Sequence, residues 1–416
     1  MMGDMDGSTN LGPRPPEAPL PRALEGTPLY VHLPFCAAKC HYCDFFSVPD
    51  EGQDLGGMVA AILQEAEQRA PQRPRTLFLG GGTPSLLPAS LLATLLDGLH
   101  ELTGWRDSAV EATAECNPES LDRDKARAFL DLGVPRLSVG VQALDDEVLR
   151  LFGRVHSAAD SLRAVEAAQE AGVEHLSVDL IYAWPGQTLE GWVRDLDTIL
   201  SLGTQHLSAY NLTYEEDTRF RRWLDRGELT QAPEELELEL FQAVRTAAEG
   251  AGLEAYEISN YSLSGHQCAH NVNYWRAGDY VGLGPGAVSK VGPVRAGAPR
   301  GIAPYLRWIE ASGHATAWRD APTASTRLAE AWWLGLRLRE GLTAQDARTR
   351  AGWEQQDDPS APVVEELLGL GMLEREGARV RLSEAGIPVA DAVAGRFLRE
   401  LSEDAPAATE PGPAAS

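Results

Sequence analysis

Between residues 29 and 214, short apolar runs alternate with stretches whose apolar residues recur every three or four positions. The runs fall at 29–33, 76–79, 110–114, 137–141, 175–182 and 206–211. The helical stretches fall at 58–69, 89–102, 125–132, 145–152 with 158–171, and 189–202. Six units of this kind predict an α/β fold with a parallel sheet, because right-handed crossovers return each strand beside the last. The periodicity does not say whether the sheet closes. In either case ligand sites belong at the carboxyl ends of the strands. After residue 215 the rhythm changes: a helix at 234–249, a strand-like run at 255–261, a glycine-rich segment to 291 and a helix at 327–338. Residues 343–401 read as helices plus one hairpin over 373–382, turning at Glu376-Gly377, as in a winged-helix module. The expected domains are therefore a partial barrel (29–215), an α+β extension (216–342) and a winged-helix-like module (343–401). The Pro-rich ends, 1–28 and 402–416, read as disordered tails.

Composition narrows the function. Of 416 residues, 36 are basic and 61 acidic, a formal net charge of -25. Nucleic acids and anionic membranes attract basic surfaces, so neither is an expected partner. No stretch reaches the ~18 apolar residues of a membrane span. The start Met1-Met2-Gly3-Asp4-Met5-Asp6 is acidic where a secretory signal would be basic, so a cytoplasmic protein is expected, with membrane association at most through a partner. Five cysteines in so long a chain make no disulfide framework.

Three of the five cluster in Cys36-Ala-Ala-Lys-Cys40-His-Tyr-Cys43. Three thiolates at C-x3-C-x2-C spacing can hold three irons of a [4Fe–4S] cube and leave the fourth open. The amino and carboxylate groups of S-adenosylmethionine suit that open iron. Held there, the sulfonium can accept an electron and a C–S bond breaks to a radical. The alternative is a zinc site completed by His41 or His32. Glycines Gly80, Gly81 and Gly82 end the second strand, and Glu115, Gln142 and Asp179 end the next three; Arg154 follows. Single polar residues at strand ends are as often caps as ligands, but a series at successive strand ends points to a bound cofactor.

With these motifs in order, Tyr30-Val-His-Leu-Pro-Phe-Cys36 through Asp44-Phe45 resembles the radical SAM superfamily. The resemblance extends over about residues 29–400. It is specific to the branch of oxygen-independent coproporphyrinogen oxidases and the related HemW haem chaperones. It implies a partial (βα)6 radical SAM barrel, with Tyr30, Tyr42, Gly81, Gly82, Thr83, Glu115, Gln142, Arg154 and Asp179 on cofactor-contacting positions and Cys36, Cys40 and Cys43 as cluster ligands. The chain departs from the pattern at Ala183-Trp184, where Gly-Leu is usual. In His270-Asn271-Val272-Asn273-Tyr274-Trp275, imidazole is a good iron ligand and aromatics can cover a macrocycle, although such a segment is more often a packed loop. The resemblance makes His270, Asn271, Tyr274 and Trp275 haem-binding, with His266 and Cys268 as alternative ligands. Gly282-Leu-Gly284-Pro-Gly286 matches the family's glycine-rich turn.

Two functions remain open: haem delivery to haem-requiring proteins, or radical decarboxylation of coproporphyrinogen. Phe45 stands where the oxidases carry a further cysteine, the stretch before the first strand is short, and the His270–Trp275 motif is present. All three favour the chaperone, without catalytic residues of its own for coproporphyrinogen. A radical methyltransferase fits less well, because Tyr256-Glu-Ile-Ser-Asn-Tyr261 follows the chaperone pattern. The expected partners are haem, haem-accepting proteins, an electron donor for the cluster and a second copy in a homodimer.

Overall fold

The computed structural model describes residues 17–18, 20–355 and 357–401. The expected tail over 402–416, and residues 1–16 and 19 of that over 1–28, lie outside these residues. Residues 20–28, expected to be disordered, are instead laid against the body: Gly26 N–H donates to Gln72 O (3.0 Å) and Arg75 N–H to Gly26 O (3.2 Å).

Six parallel strands form in the predicted places: β1 (Leu29–Leu33), β2 (Thr76–Gly81), β3 (Glu111–Cys116), β4 (Arg136–Gln142), β5 (His175–Tyr182) and β6 (His206–Asn211). Between them run α1 (Leu55–Arg69), α2 (Ala89–Thr103), α3 (Arg123–Asp131), α4 (Asp146–Phe152), α5 (Ala158–Ala171) and α6 (Leu189–Ser201). Two short helices continue the chain, α7 (Arg219–Asp225) and the longer α8 (Glu234–Gly250). The extension then adds β7 (Glu254–Ala255), β8 (Asn260–Ser262), α9 (Ala269–Trp275) and β9 (Val281–Leu283).

The sheet does not stop at residue 215. Its order is β9-β1-β2-β3-β4-β5-β6-β8-β7, nine strands that do not close on themselves. Strand β9 joins β1 in parallel, while β8 runs antiparallel to β6. The extension thus completes both edges of the barrel sheet instead of forming a separate layer. The run at 255–261 is two short strands of one hairpin, because Tyr256 N–H closes back on Asn260 O (3.2 Å).

Alternation along the strands separates two faces. Leu29, Val31, Leu77, Leu79, Leu137, Val139, Leu176 and Val178 are fully buried against the helices. The intervening residues point into the lumen and are mostly polar. Register sets Tyr30 beside Phe78, Phe78 beside Thr113, Ser138 beside Ser177, and Asp179 between Gly140 and Ser208. A polar lumen in a parallel sheet is a place for ligands more than for core. Glu65 on α1 is fully buried and ties the extension down: its Oε2 accepts from Gly284 N–H (2.9 Å) and Tyr305 Oη (2.8 Å), while Arg69 pairs with Oε1.

Further on come a small antiparallel sheet of β10 (Val288–Val291) and β11 (Val294–Gly297), helix α10 (Ile302–Ser312), and β12 (Trp318–Asp320) on the edge of β11. The C-terminal module contains α11 (Ala324–Gly335), β13 (Leu342–Thr343), α12 (Ala344–Ala351), α13 (Ala361–Gly369), the hairpin β14 (Leu373–Glu376) and β15 (Arg379–Leu382), and α14 (Ala390–Leu401). It begins earlier than residue 343, because Trp332 on α11 stacks on Phe397 of α14 with centroids 5.0 Å apart. Among the described residues no helix is long and apolar enough to cross a membrane.

Candidate functional site

The cysteine loop leaves β1 and is held from three sides. Phe35–Cys36 pairs in parallel with Val48–Pro49. His41 N–H donates to Phe152 O (2.8 Å), and Phe220 N–H of α7 donates back to His41 O (3.0 Å). Tyr42 lies edge-on to Phe152 (5.1 Å) and Phe220 (6.3 Å). So fixed, Cys36, Cys40 and Cys43 line one cavity of about 600 Å³ at the carboxyl ends of the strands. Burial pushes the Cys36 thiol up and the Cys43 thiol to about 11, so a thiolate here needs a cation beside it. Among the described residues no three His, Cys, Asp or Glu side chains are grouped to hold a single ion. That spacing suits a cube, in which each thiolate holds its own iron. The histidines proposed to complete a zinc site are already engaged. His41 Nδ1 is 2.8 Å from Leu151 O and Nε2 is 2.9 Å from Arg219. His32 Nδ1 is 3.0 Å from Tyr30 Oη and Nε2 is 2.7 Å from Phe46 O.

Tyr42, Gly81, Gly82, Thr83, Glu115, Gln142, Arg154 and Asp179 line the same cavity. Gly81 has φ 92°, and a Cβ there would meet the His32 ring at 2.3 Å; a Cβ on Gly82 would meet Leu33 O at 2.5 Å. Only glycine lets β2 pass so close to the cysteine loop. Glu115 Oε2 accepts from Gly81 N–H (3.0 Å). Burial raises this carboxyl to about 7 despite that bond, with Asp179 adding to the rise. Asp179 is raised by burial too, against donation from Ser138 Oγ to both its oxygens (2.9 Å each). Gln142 has φ 69° at an irregularity in β4, and Ala183 φ 62° after β5. Such left-handed non-glycine residues cost energy and concentrate at ligand sites.

Tyr30 sits apart from these residues. It does not line the cavity; its ring lies in the lumen beneath, against Phe78 (6.2 Å) and His32 (5.9 Å). Residues not foreseen include Asn117, which donates to Thr83 Oγ1 (2.8 Å) and accepts from Arg154 (2.7 Å). Its place one residue past β3 was the available signal. Tyr210 and Asn211, the last residues of β6, and Thr213 just past it also line the cavity.

The His270 segment lies elsewhere. It is a short helix, α9, at the amino end of the barrel, and it shares no lining residue with the cysteine cavity. His270 is 1% exposed and stacks on Phe78 at 5.1 Å. Its Nδ1 is 2.7 Å from Thr76 Oγ1 and its Nε2 is 2.9 Å from Tyr274 Oη. Burial lowers it to about 3, so it is neutral. Both nitrogens of His270 are thus engaged inside the barrel. Tyr274 Oη lies on His270, and Trp275 lies under the Arg337 guanidinium (4.7 Å). Cys268, an alternative ligand, is buried with its Sγ 3.4 Å from Glu111. Asn271 is half-buried and does not line the cavity around the cysteines.

Comparison with known proteins follows this geometry. The sequence model of the Radical SAM superfamily matches residues 30–199, and that of the HemN C-terminal domain matches residues 323–389. The heme chaperone HemW of Bacillus subtilis is 33% identical over 377 residues, covering 89% of this chain and 99% of its own. The heme chaperone HemW of a Synechocystis species is 37% identical, covering 77% of this chain and 80% of its own. The chain belongs to the HemW family of radical SAM proteins.

In fold this HemW-family chain resembles coproporphyrinogen III oxidase (HemN) from Escherichia coli, with a TM-score of 0.76 over 90% of each chain at 21% identity. Membership in the superfamily implies a [4Fe–4S] cluster and S-adenosylmethionine. The residues fit both: three thiols spaced along one wall, a glycine edge that admits a ligand to the backbone, and a buried, unpaired carboxyl at Glu115. In the HemW-family chain Cys36, Cys40 and Cys43 would hold the cluster, and Gly82, Glu115 and Gln142 the cofactor.

Proposed function

We propose that this protein is a haem chaperone, binding haem and delivering it to haem-requiring proteins. The observation that carries the reading is the charge inventory of the cysteine cavity. Its only lining cation is Arg154. That guanidinium donates to Asn117 Oδ1 (2.7 Å) and Gly140 O (2.9 Å) and lies 3.5 Å from Cys40 Sγ. Nearby Lys39 is bound to Phe45 O and Ser47, and Arg300 to Asp44. Coproporphyrinogen carries several carboxylates, and a buried carboxylate without a partner is costly. A cavity whose single cation is engaged does not suit that substrate. The relatives' name supports the same reading.

When bound, the cluster and S-adenosylmethionine supply one-electron cleavage of a C–S bond. In this proposal a one-electron donor serves the cluster, and haem-accepting proteins receive the cargo. All five cysteines are free thiols, which suits a reducing, cytoplasmic setting. The test is anaerobic reconstitution followed by two assays on the wild type: a haem titration read by Soret absorbance, and incubation with coproporphyrinogen III, cofactor and reductant. Haem binding without protoporphyrinogen formation is expected. Robust turnover would overturn the proposal in favour of the oxidase.

A further inference from the structure

The barrel lumen lies between two cavities. One holds the cysteines at the carboxyl end; the other, of about 640 Å³, opens at the amino end. A file of side chains links them, and each member can both donate and accept a hydrogen bond. Asp179 lines the cysteine cavity, and its Oδ1 lies 3.4 Å from Ser177 Oγ, two residues back on the same face of β5. Register sets Ser177 beside His206 on β6, with Ser177 Oγ 2.7 Å from His206 Nδ1. His206 Nε2 lies 2.9 Å from Oη of Tyr256, in the turn between β7 and β8. Tyr256 lines the amino-end cavity and accepts from Cys268 N–H (3.3 Å). The inner members are sealed from water, Ser177 at 1% exposure and His206 at 2%. Apolar residues of the same shape would fill this part of the lumen without burying polar groups. An unbroken file from one cavity to the other is more than packing requires.

We propose that Ser177, His206 and Tyr256 form a proton relay through which Asp179 exchanges its proton with water at the amino end while the cysteine cavity is filled. On exit the Asp179 carboxyl gives its proton to Ser177 Oγ, whose own proton passes to His206 Nδ1. The His206 Nε2 proton passes to Tyr256 Oη, and the phenol proton passes to water. One proton leaves the carboxyl and one enters water. Ser177 and Tyr256 end as neutral hydroxyls, and His206 ends as its other neutral tautomer. No imidazolium forms. That suits a ring which burial holds well below its ordinary value, and which faces the Arg136 guanidinium and His266. Burial raises Asp179, which faces Glu115, Tyr210 and Arg136, and so favours its protonated form. Burial also keeps Tyr256, which faces Cys268, Glu257 and Arg136, a neutral phenol. S-adenosylmethionine brings a sulfonium cation to the cavity that Asp179 lines, and a cation there favours the carboxylate. The proton so released has no water on the side the ligand fills. The relay does not depend on what cargo the protein carries.

The test uses full-length protein with its cluster reconstituted and oxidised and no reductant, so that S-adenosylmethionine binds without being cleaved. Stopped-flow mixing in weak buffer with a pH indicator reads proton release, and the cluster's visible absorbance reads binding. The wild type is expected to release protons as fast as it binds. His206→Gln and Tyr256→Phe fill the same space but cannot pass a proton. Each should slow release by ~100-fold, the low end of what a positioned proton carrier contributes. Cofactor affinity, iron content and Tm should match the wild type, so a lost path is not a lost fold. Ser177→Ala, which removes one oxygen from the middle of the file, should slow release as well and carries the test if His206→Gln folds poorly. Release at wild-type speed in these variants overturns the relay. So does a wild type that binds the cofactor and releases no proton. Slowing in His206→Gln with none in Tyr256→Phe overturns the exit at the amino end.

Discussion

Burial raises the Glu115 carboxyl to about 7 although Gly81 N–H donates to it, and Asp179 pushes in the same direction. A carboxyl raised above its ordinary 4.5 contributes its full stability only below that value and loses it as pH rises through 7. At pH 8 the ionised group therefore costs on the order of 2–3 kcal/mol. Glu115→Gln should raise the urea midpoint of the cofactor-free protein at pH 8 and narrow the gap at pH 5. The same change should weaken S-adenosylmethionine by ~1.5–3 kcal/mol, the worth of a bond to a charged group, measured by anaerobic calorimetry. Unchanged affinity would remove Glu115 from the site. His270 has the opposite sign. Its depressed value, about 3, means stability is complete above the ordinary 6.5 and drains as pH falls below it. Between pH 7 and pH 5 its share is about 2 kcal/mol. In His270→Leu the fall in urea midpoint over that range should be shallower than in the wild type. An equal fall would mean that His270 is not buried as a neutral ring. The sequence singles out Glu115 only as one of a series of polar residues at successive strand ends. It does not reveal which way His270 points: a one-residue rotation of a seven-residue helix decides between lumen and surface, and Thr76, its partner, lies 194 positions away.

At the scale of elements, the strands and crossover helices were legible because period 2 and period 3.6 are properties of the chain itself. The edges of the sheet were not. Strands β7, β8 and β9 are two or three residues long, too short for a pattern, and β9 finds β1 only in the folded protein. Helix α7 was equally hidden, yet it braces the cysteine loop. Fully buried Phe220 stacks on Tyr214 (6.1 Å) and meets Phe152 (5.9 Å) and Trp223 (5.6 Å). Phe220→Ala should cost ~3–5 kcal/mol. It should also shorten the lifetime of the reconstituted cluster under chelator, since the loop loses the support behind Tyr42. A destabilised variant whose cluster persists as in the wild type would reduce α7 to packing alone.

For the whole molecule, the C-terminal module is joined to the barrel by one backbone bridge, Glu257 to Leu338, and by side chains. Arg337 lies over Trp275 and pairs with Asp391; Arg245 and Arg339 share Glu384. Glu384 is exposed, and exposed pairs are worth ~0–1 kcal/mol each, so Glu384→Ala should lower stability only slightly. Phe397, stacked on Trp332 and fully buried, is different: Phe397→Ala should cost ~3–5 kcal/mol. Urea titrations of both variants separate the two cases, and a comparable loss would mean that charges, not the stacked rings, hold the module together. The hairpin was legible in the sequence, but the packing of α11 was not, since it reads as an ordinary amphipathic helix until Phe397 is seen against it.

The lumen has one last consequence. From the cysteine loop to α9, rings follow one another along the β1–β2 wall: Phe46, His32, Tyr30, Phe78, His270 and Tyr274, with centroids 5.0–6.4 Å apart. Opposite them Thr113, Ser177 and Ser208 are buried, and the two cavities share no lining residue. The two cavities thus open at opposite ends of the barrel, with rings and buried hydroxyls between them. Five residues of β1 at ~3.3 Å each separate the ends by only ~17 Å. A molecule docking at one mouth and a molecule docking at the other would not compete for the same surface.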